Sequence, residues 1–199
     1  MTIDVNLHRT DEDFFDNLDE IMEDSMVQMF ILHPSTMAEL EHSKKVAAEY
    51  GSVFYSIPLS LHHEADENCV AFSIQSDEDS ALLPVSGKPI MIDESRLNDA
   101  AVYDLSSCKG IILNATREHT ALSNFHLALG AENIGAFDTD TLSGLSMDQI
   151  VLQSSYPLHG FDEISDAVKV ISDAMLRPEQ SIIARATKSS LELFGFRKS

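Results

Sequence analysis

Short apolar runs recur along the whole chain, and their continuity constrains the fold more than any single motif. They lie at residues 3–7, 27–32, 53–59, 70–74, 89–92, 110–113, 133–137 and 150–152. Several are unbroken over four to six residues instead of alternating. Burial on both faces produces that pattern, and parallel sheets bury both faces of their strands. Parallel neighbours need crossover connections, and these are right-handed βαβ units.

Helical patterns supply some of the crossovers. Residues 11–24 place Phe14, Leu18, Ile21 and Met22 on one stripe, with Thr10 or Asp11 as N-cap and acids over the remaining face. Residues 35–50 carry Met37, Leu40, Val46 and Ala47, and Gly51 ends them. A third helix is expected at 121–129, closed by Gly130. Residues 162–175 hold Ile164, Ala167, Val168, Ile171 and Met175 at helical spacing, and a last helix covers 181–194 before Gly195. The middle differs. Between 60 and 110 the connections are short and acidic, with room for one or two helical turns at 80–85 and 98–107.

Strand and helix together predict an α/β protein, a reduced TIM-type (β/α)8 barrel with several middle helices missing or shortened. Full barrels of this kind have about 250 residues, and this chain has 199. An open doubly wound sheet is the alternative. No repeat and no Pro/Gly/Ser-rich linker divides the chain, so one domain over 1–199 is expected.

Charge excludes a generic nucleic-acid coat. The 13 Lys and Arg face 33 Asp and Glu, a net charge of −20, and only Lys44 and Lys45 are adjacent. For action on DNA, a bound metal ion would supply the positive charge itself. No apolar run approaches the roughly 20 residues that span a bilayer. The N-terminus lacks a basic segment followed by an apolar one. With two cysteines, Cys69 and Cys108, a reducing cytoplasm is the expectation.

The first run, Ile3-Asp4-Val5-Asn6-Leu7-His8, ends in a polar-x-His pair whose side chains point the same way on a strand. At the carboxyl end of a barrel strand they would face the mouth where such barrels carry their sites. Other constellations are weaker. His62 and His63 are adjacent and point to opposite faces, so His62-His63-Glu64-x-Asp66 reads as a solvated loop. His119, His126 and His159 show no ligand spacing, and Ser106-Ser107-Cys108 has no paired base. Neither phosphate-binding glycine motif occurs.

Several segments, taken in order, resemble one family. IDVNLH at 3–8 is similar to an I-D-T-H-x-H opening, and KPIMID at 88–93 to a strand ending P-V/I-I-V/I-H. GIILN at 110–114 occupies the place of G-V/I-x-H, and DQIVLQSSYPL at 148–158 that of a segment containing E-T-D-S/A-P. The closing ATKSSLELFGF resembles a T-x-N-x-x-x-L/I-F terminus. This order of motifs resembles the TatD family of metal-dependent hydrolases, of deoxyribonuclease or phosphodiesterase type, over nearly the whole chain.

The resemblance implies a one- or two-metal site, and carrying it over position by position shows departures. Asn6 stands for the first His and His8 for the second. Ile74 or a neighbour stands for a Glu. Asp93 and Asn114 stand for two later His, and Gln153 and Ser155 for the final Glu and Asp. Of the pattern, Asp4 and His8 remain. The expectation is therefore a TatD-related barrel with a degenerate metal site, acting as a non-catalytic binding or interaction protein. A divalent-metal hydrolase with an altered site is the alternative. No cofactor is expected beyond a weakly held Mg²⁺, Mn²⁺ or Zn²⁺ at His8, Asp93 and Asp138, with Asp140 nearby at the same strand ends. A helix-poor side leaves strand faces uncovered, which predicts a homodimer or a covering protein partner.

Overall fold

In the computed structural model, residues 2–7, 12–75, 87–97, 105, 108–154, 156–157 and 160–196 are described. Among them the apolar runs form eight strands: β1 Thr2–Leu7, β2 Val27–Leu32, β3 Val53–Pro58, β4 Cys69–Ile74, β5 Ile90–Asp93, β6 Gly110–Leu113, β7 Phe125–Leu129 and β8 Ile150–Leu152. Each pairs with the next in parallel, in chain order from β1 to β8. A doubly wound sheet would reverse its order at a switch point, so the alternative does not hold. The chain is a nearly closed TIM-type barrel with fewer helices than a full one.

Alternation along each strand separates two apolar layers. Outward side chains such as Phe30, Tyr55, Ile92, Ile112, Leu127 and Leu152 form one cluster with the helices. Inward ones, among them Ile3, Val5, Ile31, Met91, Ile111 and Val151, fill the barrel. The helices that cover the outside are α1 Glu12–Asp16, α2 Leu18–Asp24, α3 Met37–Glu49, α4 Glu94–Leu97, α5 Thr139–Gly144, α6 Glu163–Met175 and α7 Glu179–Phe194. On α6, Ile164, Val168 and Ile171 are fully buried, and each such side chain stabilises by roughly 1.5–3 kcal/mol. No described helix is long and apolar enough to cross a membrane.

The sequence reading needs three corrections. The helix expected at 11–24 breaks at Asn17 into α1 and α2. The segment at 121–129 is instead a 3-10 turn, Arg117–Ala121, followed by β7. In β7, Phe125, Leu127 and Leu129 face the helices while Ala128 faces inward, which is strand periodicity. Residues 133–137 are not a strand. The Asn133 side chain accepts from the Gly130 amide at 2.8 Å and donates to the Ala115 and Ala128 carbonyls at 2.7 and 2.9 Å. Those bonds fold the segment into a 3-10 turn, Ile134–Ala136.

Among the described residues, helices are fewest between β4 and β6. The helical turns expected at 80–85 and, except for Leu105, at 98–107 lie outside the described residues. The outward faces of β4 to β6 are nevertheless covered: Ile74, Ile90, Ile92 and Ile112 are at most 2% exposed. Leu97, Leu105, Cys108 and Leu122 pack against the same cluster.

Candidate functional site

The last residues of the strands converge at the carboxyl end of the barrel. Asp93 ends β5 in register with Leu113, which faces inward. Asn114 follows β6 with φ +53°, a left-handed conformation that asparagine tolerates better than most residues. Gln153 follows β8 two residues after inward-facing Val151. On β1 the register on β2 is irregular between Asp4 and Leu7, and Asn6 reaches across to Gln153.

These four side chains form one hydrogen-bonded line. Asn6 Nδ2 donates to Gln153 Oε1 at 3.4 Å. The same oxygen accepts from the Asn114 backbone N–H at 3.2 Å. Gln153 Nε2 donates back to Asn114 Oδ1 at 2.5 Å. Asn114 Nδ2 then donates to Asp93 Oδ2 at 2.9 Å, and Asp93 Oδ1 accepts from the Ser95 amide at 3.0 Å and from the Ser95 hydroxyl.

Behind the line, Asp4 ties the first strand to the last. It is fully buried. Its Oδ1 accepts from the backbone amides of Asn6 at 3.1 Å and Ser154 at 3.0 Å, and its Oδ2 from the Ser154 hydroxyl. Between β8 and β1, which share no ladder among the described residues, this side-chain latch makes the join. A buried carboxylate holds its charge only with such donors.

A second polar pair was not evident in the sequence. His33 follows β2, is 8% exposed and bonds on both ring nitrogens. Nε2 lies 2.8 Å from the Val5 carbonyl, which can only accept, so Nε2 carries the proton. Nδ1 then accepts from the Ser56 hydroxyl at 3.0 Å. The signal was available: HPS directly follows an apolar run, at the strand end where Asp93 and Asn114 also sit. His33 lines an open cavity of about 440 Å³ with Ser73, Gln75, Asp93, Ser95 and Arg96.

The structure thus brings together Asn6, Asp93, Asn114 and Gln153. His8 and Ser155 lie outside the described residues. Asp138 was placed at a strand end on the strength of a strand at 133–137, which the structure replaces with a turn. It is the N-cap of α5, accepting from the Thr141 amide at 2.7 Å, and that bond holds its carboxyl below the usual range. Asp140 is exposed in the first turn of the same helix. The His62–Asp66 segment is a loop: Asp66 accepts from the Asn68 and Cys69 amides, and His63 meets Lys44 and Glu41. His119 accepts from the Thr116 amide at 3.0 Å.

These groups do not fit a tightly held divalent metal. Among the described residues no three His, Cys, Asp or Glu side chains converge. At the mouth the oxygens of Gln153, Asn114 and Asp93 already accept from N–H donors. Among the described residues of that line, a cation would displace those bonds and meet one carboxylate and otherwise neutral amides. What the arrangement offers is a polar, hydroxyl- and amide-rich rim.

No family model matches the chain, and no curated protein matches it in sequence. Solved structures do match in shape. A TatD homologue from Escherichia coli superposes with a TM-score of 0.73 at 11% identity, covering 98% of both chains. A TatD-family hydrolase from Entamoeba histolytica gives 0.73 at 10% identity, over 96% of this chain and 97% of the other. A dihydroxybenzoic acid decarboxylase from Polaromonas, solved with manganese and an inhibitor, gives 0.60 at 12% identity, over 100% and 98%. At such identities the likeness is one of fold, and by fold the chain is a shortened, divergent TatD-like barrel.

Proposed function

We propose that this barrel is a non-catalytic relative of the TatD-like hydrolases, with a degenerate metal centre and a mouth that binds a small polar ligand. One observation carries the reading. The positions that the resemblance assigns to metal ligands at the ends of β1, β6 and β8 hold Asn6, Asn114 and Gln153, and these carboxamides bond to one another and to Asp93. Replacing imidazole and carboxylate by carboxamide removes basicity and charge together while keeping hydrogen-bonding capacity. The adjoining cavity adds the Ser73 and Ser95 hydroxyls, Gln75 and the Arg96 guanidinium. Such a lining suits a ligand that both donates and accepts hydrogen bonds. Free thiols at Cys69 and Cys108 support a reducing, cytoplasmic setting.

The competing reading is a divalent-metal hydrolase with an altered site, favoured by neighbours described as hydrolases and by the manganese of the decarboxylase. Hydrolysis of an activated phosphodiester in the presence of Mg²⁺, Mn²⁺, Co²⁺ or Zn²⁺ separates the two. The proposal predicts no metal-dependent turnover. Turnover that needs the metal and disappears in Asp93→Ala would establish the competing reading.

A further inference from the structure

The opposite end of the barrel carries a second cavity. There α7 forms a floor: Leu191, Leu193, Phe194 and Phe196 pack against the inward cluster, and the Phe196 ring lies 4.4 Å from that of Phe54 on β3. Below the starts of β5, β6 and β7 that floor leaves a cavity of about 510 Å³. Lys88, Lys109, His126, Cys108, Ser189 and Glu192 are among its lining residues.

Its charge runs against the rest of the chain. In a protein of net charge −20, two of the 13 Lys and Arg residues enter the same cavity from the leads into neighbouring strands. Among the described lining residues the carboxylate is Glu192, paired with Lys188 on its own helix at 3.5 Å; Asp148, which also acts on His126, is bonded to Arg185. Lys88 Nζ donates to the Cys69 carbonyl at 2.5 Å, which positions the ammonium and leaves further N–H groups to donate.

His126 is the second observation. It lies in register with inward-facing Ile111, and its Nδ1 is buried with no hydrogen-bond partner among the described residues. Burial opposes protonation of the ring, while the Gly110 backbone, Asp148 and Glu192 favour it. The half-buried ring shares the lining of the cavity with the two lysines.

We propose that this cavity binds a small dianionic oxyanion of the phosphate-monoester type, held by Lys88, Lys109 and His126. Two ammonium groups match two negative charges, and the imidazole supplies a donor when the anion draws a proton to it. The volume leaves room for a substituent on the phosphate. The site lies at the amino-terminal end of the barrel, so it stands independently of the reading of the mouth.

The test is an NMR titration of the His126 ring with inorganic phosphate, run beside chloride at matched ionic strength and beside succinate. The expected result is a saturable shift with phosphate and none with chloride. Lys109→Gln, at an exposed position, should weaken phosphate at least about tenfold, as loss of a charge-assisted contact does, with an unchanged thermal melt. Lys88→Gln should do the same, and if it lowers stability through Cys69, Lys109→Gln alone decides. A linear, unsaturable response, equal shifts with chloride, tighter binding of succinate, or wild-type affinity in Lys109→Gln would each overturn the proposal.

Discussion

Asp4 and His126 are two buried titratable groups with opposite consequences. Asp4 accepts from the Asn6 and Ser154 amides and from the Ser154 hydroxyl. Leaving buried donors unsatisfied costs about 1–3 kcal/mol each. Asp4→Ala is therefore expected to lose about 3 kcal/mol in urea unfolding, and Asp4→Asn, which keeps an acceptor, less. His126 works in the other direction. Burial pushes its pKa below the ordinary 6.5. Above that value both folded and unfolded states are neutral and the group contributes nothing. Below it the unfolded chain takes up a proton first, so stability falls with pH until the folded ring also protonates. In phosphate-free buffer, His126→Leu should remove part of the decline in stability as pH falls below about 6.5. An unchanged slope would show that the ring is not held neutral. At this scale the sequence was only partly readable. Asn6, Asp93, Asn114 and Gln153 could be placed because strand ends share a direction. His33 was missed although it follows an apolar run at a strand end; only its contacts with Val5 and Ser56, on other strands, show what it does.

Strands were readable where both faces are apolar, as in residues 110–113 and 150–152. They were not readable where the pattern was short and mixed. FHLAL in β7 carries apolar residues at spacings of two, but Gly130 behind it imitates a helix end. NIGAF at 133–137 is apolar enough for a strand, and the three bonds of the Asn133 side chain, with the backbone bonds of the turn, decide against it. Pairing between elements also depends on absent side chains. A Cβ on Gly110 would lie 1.9 Å from the Ile90 carbonyl oxygen, and one on Gly130 would lie 2.3 Å from the Gln153 carbonyl oxygen. Both neighbours are backbone and cannot rotate away. Gly110→Ala should force β5 and β6 apart and cost more than about 3 kcal/mol, at the severe end for point substitutions. A melt within one or two degrees of wild type would contradict the close approach.

For the whole molecule, the apolar runs indicated the barrel and the charge indicated how it meets solvent. A net charge of −20 over 199 residues repels itself. Raising sodium chloride from about 0.02 to 0.3 M shortens the Debye length to below 10 Å, and the melting temperature is expected to rise. The proposed loss of a metal centre leaves the supports of the fold in place, because the two apolar layers do not depend on the mouth carboxamides. The most direct test is the metal content of the purified, untagged protein after dialysis against Mn²⁺ or Zn²⁺ and gel filtration. The account predicts far less than one ion per chain. One or two ions retained per chain would contradict it and make the mouth a rebuilt metal site.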